Sequence, residues 1–147
     1  TRSVVSNGPG RINQAFSVRS STWPKSQLRA DWAYLEAEID DPRLRVVHGS
    51  AADVRRFIKE AGHYQADYVL SGIPFSTLPE GVGEAICAET RSALRPGGAF
   101  LIYQYSRYVL RLLNPLFGDV SDALEWRNIP PCRMIRAVRQ EALAQAA

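Results

Sequence analysis

The short apolar run Tyr68-Val69-Leu70, closed by Ser71-Gly72-Ile73-Pro74-Phe75, constrains this chain more than any other stretch. A brief aromatic and branched run that stops at small residues and a proline is the pattern of a buried strand ending in a tight turn. Proline cannot donate to a strand ladder, and Ser and Gly leave the backbone uncovered. In open α/β sheets, ligands gather outside the carboxyl ends of the strands. The turn is therefore a candidate site floor. A plain strand-to-helix turn is the alternative that the same residues allow. Leu94-Arg95-Pro96-Gly97-Gly98, farther downstream, supports the site reading.

From Ala30 onward, strand-like and helix-like text alternates. Trp32, Leu35 and Ile39 share a helical face over residues 31–39, and Asp40-Asp41-Pro42 stops it. A strand over residues 44–48 is closed by Gly49-Ser50. Ala52-Asp53 opens a helix with Val54, Phe57 and Ile58 on one face, ended by Gly62; Asp53 is a candidate cap for it. Residues 66–70 form a strand, residues 79–94 a helix with Val82, Ile86 and Leu94 inward, and residues 99–104 a strong strand after a hairpin-like break at Arg95-Pro96-Gly97-Gly98. The run 108–113 is apolar except for Arg111. Residues 123–128 and 132–138 read as strands joined by the Pro130-Pro131 turn, and residues 139–147 as a frayed tail. This alternation predicts an α/β domain with a mostly parallel sheet, covered on both faces and closed by an antiparallel C-terminal hairpin.

The first thirty residues are the least regular. Val4-Val5 ends a candidate strand, Asn7-Gly8-Pro9-Gly10 is a turn, and residues 11–25 show no clean period. At 147 residues the chain is expected to be one domain. It does not begin with Met and is read as a fragment or a processed chain. No apolar run approaches the ~20 residues that span a bilayer, and no secretory signal is visible. Cys87 and Cys132 lack metal-ligand spacing and read as free thiols of a reducing compartment. His48 and His63 have no partner set and read as structural. The formal charge of +3 permits an anionic partner without demanding one.

Four segments, in order, resemble class I S-adenosylmethionine-dependent methyltransferases: Arg45-Val46-Val47-His48-Gly49-Ser50-Ala51-Ala52-Asp53, Asp67 to Phe75, Leu94 to Gly98, and Arg127-Asn128-Ile129-Pro130-Pro131. The resemblance covers about residues 31–139. Within that superfamily the chain is most similar to bacterial phospholipid N-methyltransferases, relatives of the ribosomal RNA adenine dimethylases. Gly72 stands where the latter carry Asn. The resemblance implies a Rossmann-like doubly wound sheet and S-adenosylmethionine as cofactor. It implies a methyl-acceptor site at Ser71, Gly72, Ile73, Pro74 and Phe75, with Phe75 beside the developing cation. Cofactor contacts fall to Gly8, Gly10, Gly49, Ser50, Ala51 and Ser71, and acceptor contacts to Tyr103, Tyr105 and Arg107.

The implied acceptor is a phospholipid amine such as phosphatidylethanolamine. The implied location is cytoplasmic, with room for peripheral contact at the inner face of an anionic membrane. Arg107, Arg111, Arg133, Arg136 and Arg139 offer a basic surface for that contact, or simply a solvated face. No metal is expected, and nucleic acid is disfavoured by Gly72. An RNA-adenine or small-molecule methyltransferase, or an inactive remnant, are the alternatives. The front departs from the family. Ser6-Asn7-Gly8-Pro9-Gly10-Arg11-Ile12 keeps Gly-Pro-Gly but lacks the acidic residue and third glycine of the cofactor loop. Ser26 falls near the position of the ribose-binding carboxylate. Residues 1–30 are thus expected to be an atypical, damaged or truncated cofactor region, with residues 11–30 read from a shifted frame.

Overall fold

The computed structural model describes residues 2–6, 12–17 and 46–141. Seven strands form one sheet: β1 Arg2–Ser6, β2 Ile12–Ser17, β3 Val46–His48, β4 Ala66–Ser71, β5 Leu94–Gln104, β6 Asp119–Glu125 and β7 Cys132–Val138. Their order across the sheet is β3-β2-β1-β4-β5-β7-β6. The helices are α1 Val54–Glu60, α2 Val82–Ala93 and the single turn α3 Leu110–Leu113.

Strands β2, β3, β4, β5 and β6 run in one direction, and β1 and β7 run against them. The mostly parallel sheet with an antiparallel C-terminal hairpin is therefore present. The reversal of β1 between β2 and β4 is an addition to that reading. Its cause is visible in the chain: only residues 7–11 separate β1 from β2, whereas a parallel crossover needs a dozen residues or more. The stretch read as aperiodic thus includes a paired strand, Ile12–Ser17. The helix expected over residues 31–39 lies outside the described residues.

Alternation along β4 and β5 sorts the side chains. Val69 pairs with Phe100 and Ser71 with Ile102, and this face is buried under α1, α2 and α3. Val54, Phe57 and Ile58 of α1 and Ile86, Cys87, Thr90 and Ala93 of α2 close over it at helical spacing. Phe75, Phe100 and Phe117 form an aromatic spine, with successive ring centroids 6.4 Å apart. Each fully buried ring contributes on the order of 2–3 kcal/mol. On the opposite face, Tyr68, Leu70, Tyr103 and Met134 remain open among the described residues.

Helix α2 starts at Val82 rather than at Pro79, because Gly81 takes a left-handed conformation before it. Strand β6 runs from Asp119 to Glu125 rather than over residues 123–128, and Trp126 to Asn128 belong to the turn. Asp53 makes no side-chain cap. Ser50 does that work, its Oγ accepting from the Ala52 N–H at 3.2 Å, while the Asp53 carboxylate pairs with Arg56 at 3.3 Å.

Leu94-Arg95-Pro96-Gly97-Gly98 is not a break before β5 but its irregular first half. The β4–β5 register slips between Ala66 and Tyr68 to accommodate it. Gly97 has φ +74°, a conformation that favours glycine. Its N–H donates to the Arg139 carbonyl at 2.7 Å, and the Arg139 N–H returns to the Gly98 carbonyl at 2.9 Å. A Cβ at Gly98 would lie 2.9 Å from the carbonyl oxygens of both Arg95 and Asp67. Arg95 also pairs with Asp67. The motif welds β4, β5 and the end of β7 together at the amino-terminal edge of β4. That edge is opposite the Ser71 turn, so its support for a site there is not direct.

Candidate active site

Five residues at the end of β4 divide by alternation. Ser71, Ile73 and Phe75 are buried, whereas Gly72 and Pro74 face outward. Ser71 Oγ accepts from the Ile73 N–H at 3.2 Å, a local side-chain-to-backbone bond that bends the chain out of the strand. Phe75 packs edge-on against Phe100 at 74° inside the core. The expectation that Phe75 stands beside a developing cation is therefore not met. Ile73 and Phe75 anchor the turn, and Ser71 shapes it.

Gly72, Pro74 and Ser76 form one wall of a cavity of about 290 Å³. The other wall is Tyr103, Gln104, Tyr105 and Ser106, where β5 ends. Tyr103 and Tyr105 are thus placed with the turn, as expected. The sequence places Gln104 at the end of the same strand, facing the same cleft, with no role of its own, yet it is the buried polar side chain of the cavity. It is only 5% exposed. Its Nε2 donates to the Ser106 carbonyl, and its Oε1 is buried with no hydrogen-bond partner among the described residues. An orphaned buried acceptor costs roughly 1–3 kcal/mol unless a ligand satisfies it. The available signal was the period of two: Phe100, Ile102 and Gln104 share the inward face of β5.

Tyr103 is tied down at its hydroxyl. Asn128 Nδ2 donates to it at 3.3 Å and to the Cys132 sulfur at 2.7 Å. The hydrogen bond with Cys132, with some burial, raises the Tyr103 phenol above its ordinary value, so it stays protonated. The Asn128-Ile129-Pro130-Pro131 segment is thereby attached to the cavity wall.

Arg107 does not line the cavity. Its Nε lies 3.1 Å from Asp122 Oδ2, which also holds Arg133 at 2.7 Å. Nor do the five arginines form one free basic face. Arg136 reaches Asp119 at 3.7 Å, and Arg139 donates to the carbonyls of Ser92 and Leu94. Arg111 lies 5.9 Å from the Tyr108 ring centroid.

On the cofactor side, Gly49, Ser50 and Ala51 follow β3 at the same edge as Ser71. Ser50, Ala51 and Ser71 meet around a void of about 10 Å³, no larger than one water. This floor is closed, and any ligand there lies above it. Gly49 has a structural duty as well: a Cβ would fall 2.1 Å from Phe57 Cζ. Ser50 is exposed and spends its oxygen lone pair on Ala52, which leaves its hydroxyl proton free to donate. Gly8 and Gly10 lie outside the described residues. The strand ends that bracket them, Ser6 and Ile12, pair with each other, and Ser6 pairs with Tyr68. That level is about 10 Å along β4 from Ser71, toward the opposite edge.

Among the described residues no group of three or more His, Cys, Asp or Glu could hold a metal ion, and no helix is long and apolar enough to cross a membrane.

No protein-family model matches the chain. An ornithine lipid N-methyltransferase of Singulisphaera acidiphila is 30% identical over 91 residues, which are 58% of this chain and 45% of that protein. The chain thus spans less than half the length of that curated relative. Among solved structures, a spermidine synthase in complex with the transition state analogue AdoDATO matches with a TM-score of 0.58 and 15% identity, over 87% of this chain and 47% of the other. An O-methyltransferase family protein of Burkholderia thailandensis matches with a TM-score of 0.52 and 12% identity, over 80% and 41%. These likenesses establish the fold: the chain carries the mixed, Rossmann-like α/β sheet that such proteins share.

Proposed function

We propose that this chain belongs to an S-adenosylmethionine-dependent methyltransferase that acts on the amine of a lipid. The observation that carries the reading is the cavity between the Ser71–Phe75 turn and the end of β5, lined in part by Gln104, whose buried Oε1 has no hydrogen-bond partner among the described residues. The similarity to an ornithine lipid N-methyltransferase supports a lipid amine as acceptor.

The residues on the cofactor side fit the group in part. Gly49, Ser50, Ala51 and the Ser71 backbone would hold its adenosyl end, with the Ser50 hydroxyl as a donor. When bound, S-adenosylmethionine supplies an electrophilic methyl group on a positively charged sulfur. The chain's own task is to present a neutral amine with its lone pair free. Gln104 Oε1 accepts one amine N–H and so fixes the nitrogen's orientation, and orientation of this kind can supply several kcal/mol of a barrier. As positive charge grows on the nitrogen, that hydrogen bond becomes charge-assisted and strengthens. Tyr103 and Tyr105 offer aromatic faces to the same cation. Gly72 keeps the wall free of a side chain.

The test is transfer of labelled methyl groups to vesicles containing phosphatidylethanolamine or ornithine lipid, with ribosomal RNA and small amines as parallel acceptors. Label in the lipid amine is expected. Label confined to RNA or to small amines would refute the lipid reading. Calorimetry with S-adenosylhomocysteine separately tests the cofactor site.

A further inference from the structure

We propose that the tip of the β6–β7 hairpin is a membrane-docking element, which seats on an anionic bilayer and holds the cavity mouth at headgroup level. The inference rests on the lipid-amine reading of that cavity. In the tip, Ile129 is 99% exposed and Trp126 74% exposed. Neither is buried, yet the tip that carries them is braced. Glu125 Oε1 accepts from the Arg127 N–H at 2.9 Å, and Asn128 is bonded to Cys132 and Tyr103. The apolar side chains are therefore held outward by a preorganised turn.

The tip stands at the cavity edge. Gln104 pairs with Arg133 at the start of β7, and Tyr103 is at once a wall of the cavity and a partner of Asn128. Tyr105 and Tyr108, also exposed, extend the aromatic rim. Trp and Tyr favour the bilayer interface, where one end is apolar and the other wet.

The charge around the rim fits an anionic surface. The tip itself, residues 125–133, carries Arg127 and Arg133 against the single acid Glu125, and Arg133 shares the Asp122 carboxylate with Arg107. The positive surplus adds electrostatic attraction to anionic headgroups, the second signal that a shallow apolar anchor requires. A projecting tip of this kind matches a deformable lipid surface rather than a preformed protein pocket.

The experiment is vesicle co-sedimentation of the full chain, with phosphatidylglycerol-rich and pure phosphatidylcholine vesicles, at low and high salt. Stronger binding to the anionic vesicles, weakened by salt, is expected. Ile129→Glu should lower the partition constant about tenfold and Ile129→Trp should raise it. At a position so exposed neither change perturbs folding, which far-ultraviolet circular dichroism checks. No binding of the unmodified chain to anionic vesicles, or Ile129→Glu binding as tightly as the unmodified chain, overturns the proposal. So does an effect of Ile129→Glu on self-association alone, read by sedimentation velocity. Transfer to detergent-dispersed lipid without vesicle binding would sink the docking and spare the lipid-amine reading. Vesicle binding without transfer to any lipid amine would do the reverse.

Discussion

Replacing Gln104 by Leu separates catalysis from stability. In the free protein Gln104 holds one buried acceptor without a partner and one donor on the Ser106 carbonyl. Leucine removes both. Losing the Ser106 bond costs ~1 kcal/mol at most, because Ser106 is half-exposed and its carbonyl can turn to water. Removing the orphaned Oε1 returns roughly 1–3 kcal/mol. Gln104→Leu is therefore expected to be as stable as the unmodified chain, or up to ~2 kcal/mol more stable, by urea denaturation. Activity moves the other way. A hydrogen bond to a charged group is worth roughly 1.5–3 kcal/mol, so kcat/KM for the amine should fall about tenfold to a hundredfold. Binding of S-adenosylhomocysteine should not change. A variant that unfolds more easily while methylating normally would refute the assignment, since Gln104 would then be a packing residue.

Three further changes test the frame around the site. Gly98→Ala should cost ~3 kcal/mol and lower Tm by roughly 6–12 °C, because its Cβ meets backbone carbonyls rather than side chains that can give way. Cys87 of α2 is fully buried, and burial, aided by Glu84, pushes its thiol up from 9.0 to about 12. The folded state holds that proton more tightly, so stability present below about pH 9 should decline toward about pH 12, by up to ~1.4 kcal/mol per pH unit. Cys87→Ala should flatten that decline in urea titrations at successive pH values. Asp122→Asn should cost ~1–2 kcal/mol by leaving Arg133 and Arg107 without their shared carboxylate, and the loss should shrink in high salt, as denaturation at two ionic strengths will read.

The elements from Val46 onward were legible because their periods are strong. Val54, Phe57 and Ile58 mark α1, and Phe100 with Ile102 marks the buried face of β5. The hairpin of β6 and β7 was legible from Pro130-Pro131, though not its start, because Asp119 and Asp122 interrupt the apolar pattern that marks a strand. The reversal of β1 was hidden: a five-residue Val-containing run carries no direction, and only its pairing with both β2 and β4 supplies one. At the site, the turn was visible as a motif but not its division into inward Ile73 and Phe75 and outward Gly72 and Pro74. Gln104 was legible as facing the cleft but not as buried, because a lone polar residue at a strand end shows its burial only once neighbouring strands and helices enclose it. The roles expected of Asp53 and Arg107 failed for a common reason. Each carries a charge that an oppositely charged neighbour claims, Arg56 in one case and Asp122 in the other.

The reversed β1 has a consequence for the order in which the sheet assembles. Its ladder with β2 closes a short loop, and so does that of β6 with β7. Its ladder with β4 joins Ser3 to Ser71, about seventy residues apart along the chain, and long loops close late. The middle of this sheet is therefore a seam between two early-forming halves, zipped after its flanks. Pulsed hydrogen exchange during refolding should find the amides of the β1–β4 ladder protected after those between β6 and β7. The strand that ends in the Ser71 turn would then acquire its second neighbour only when the rest of the site is already in place.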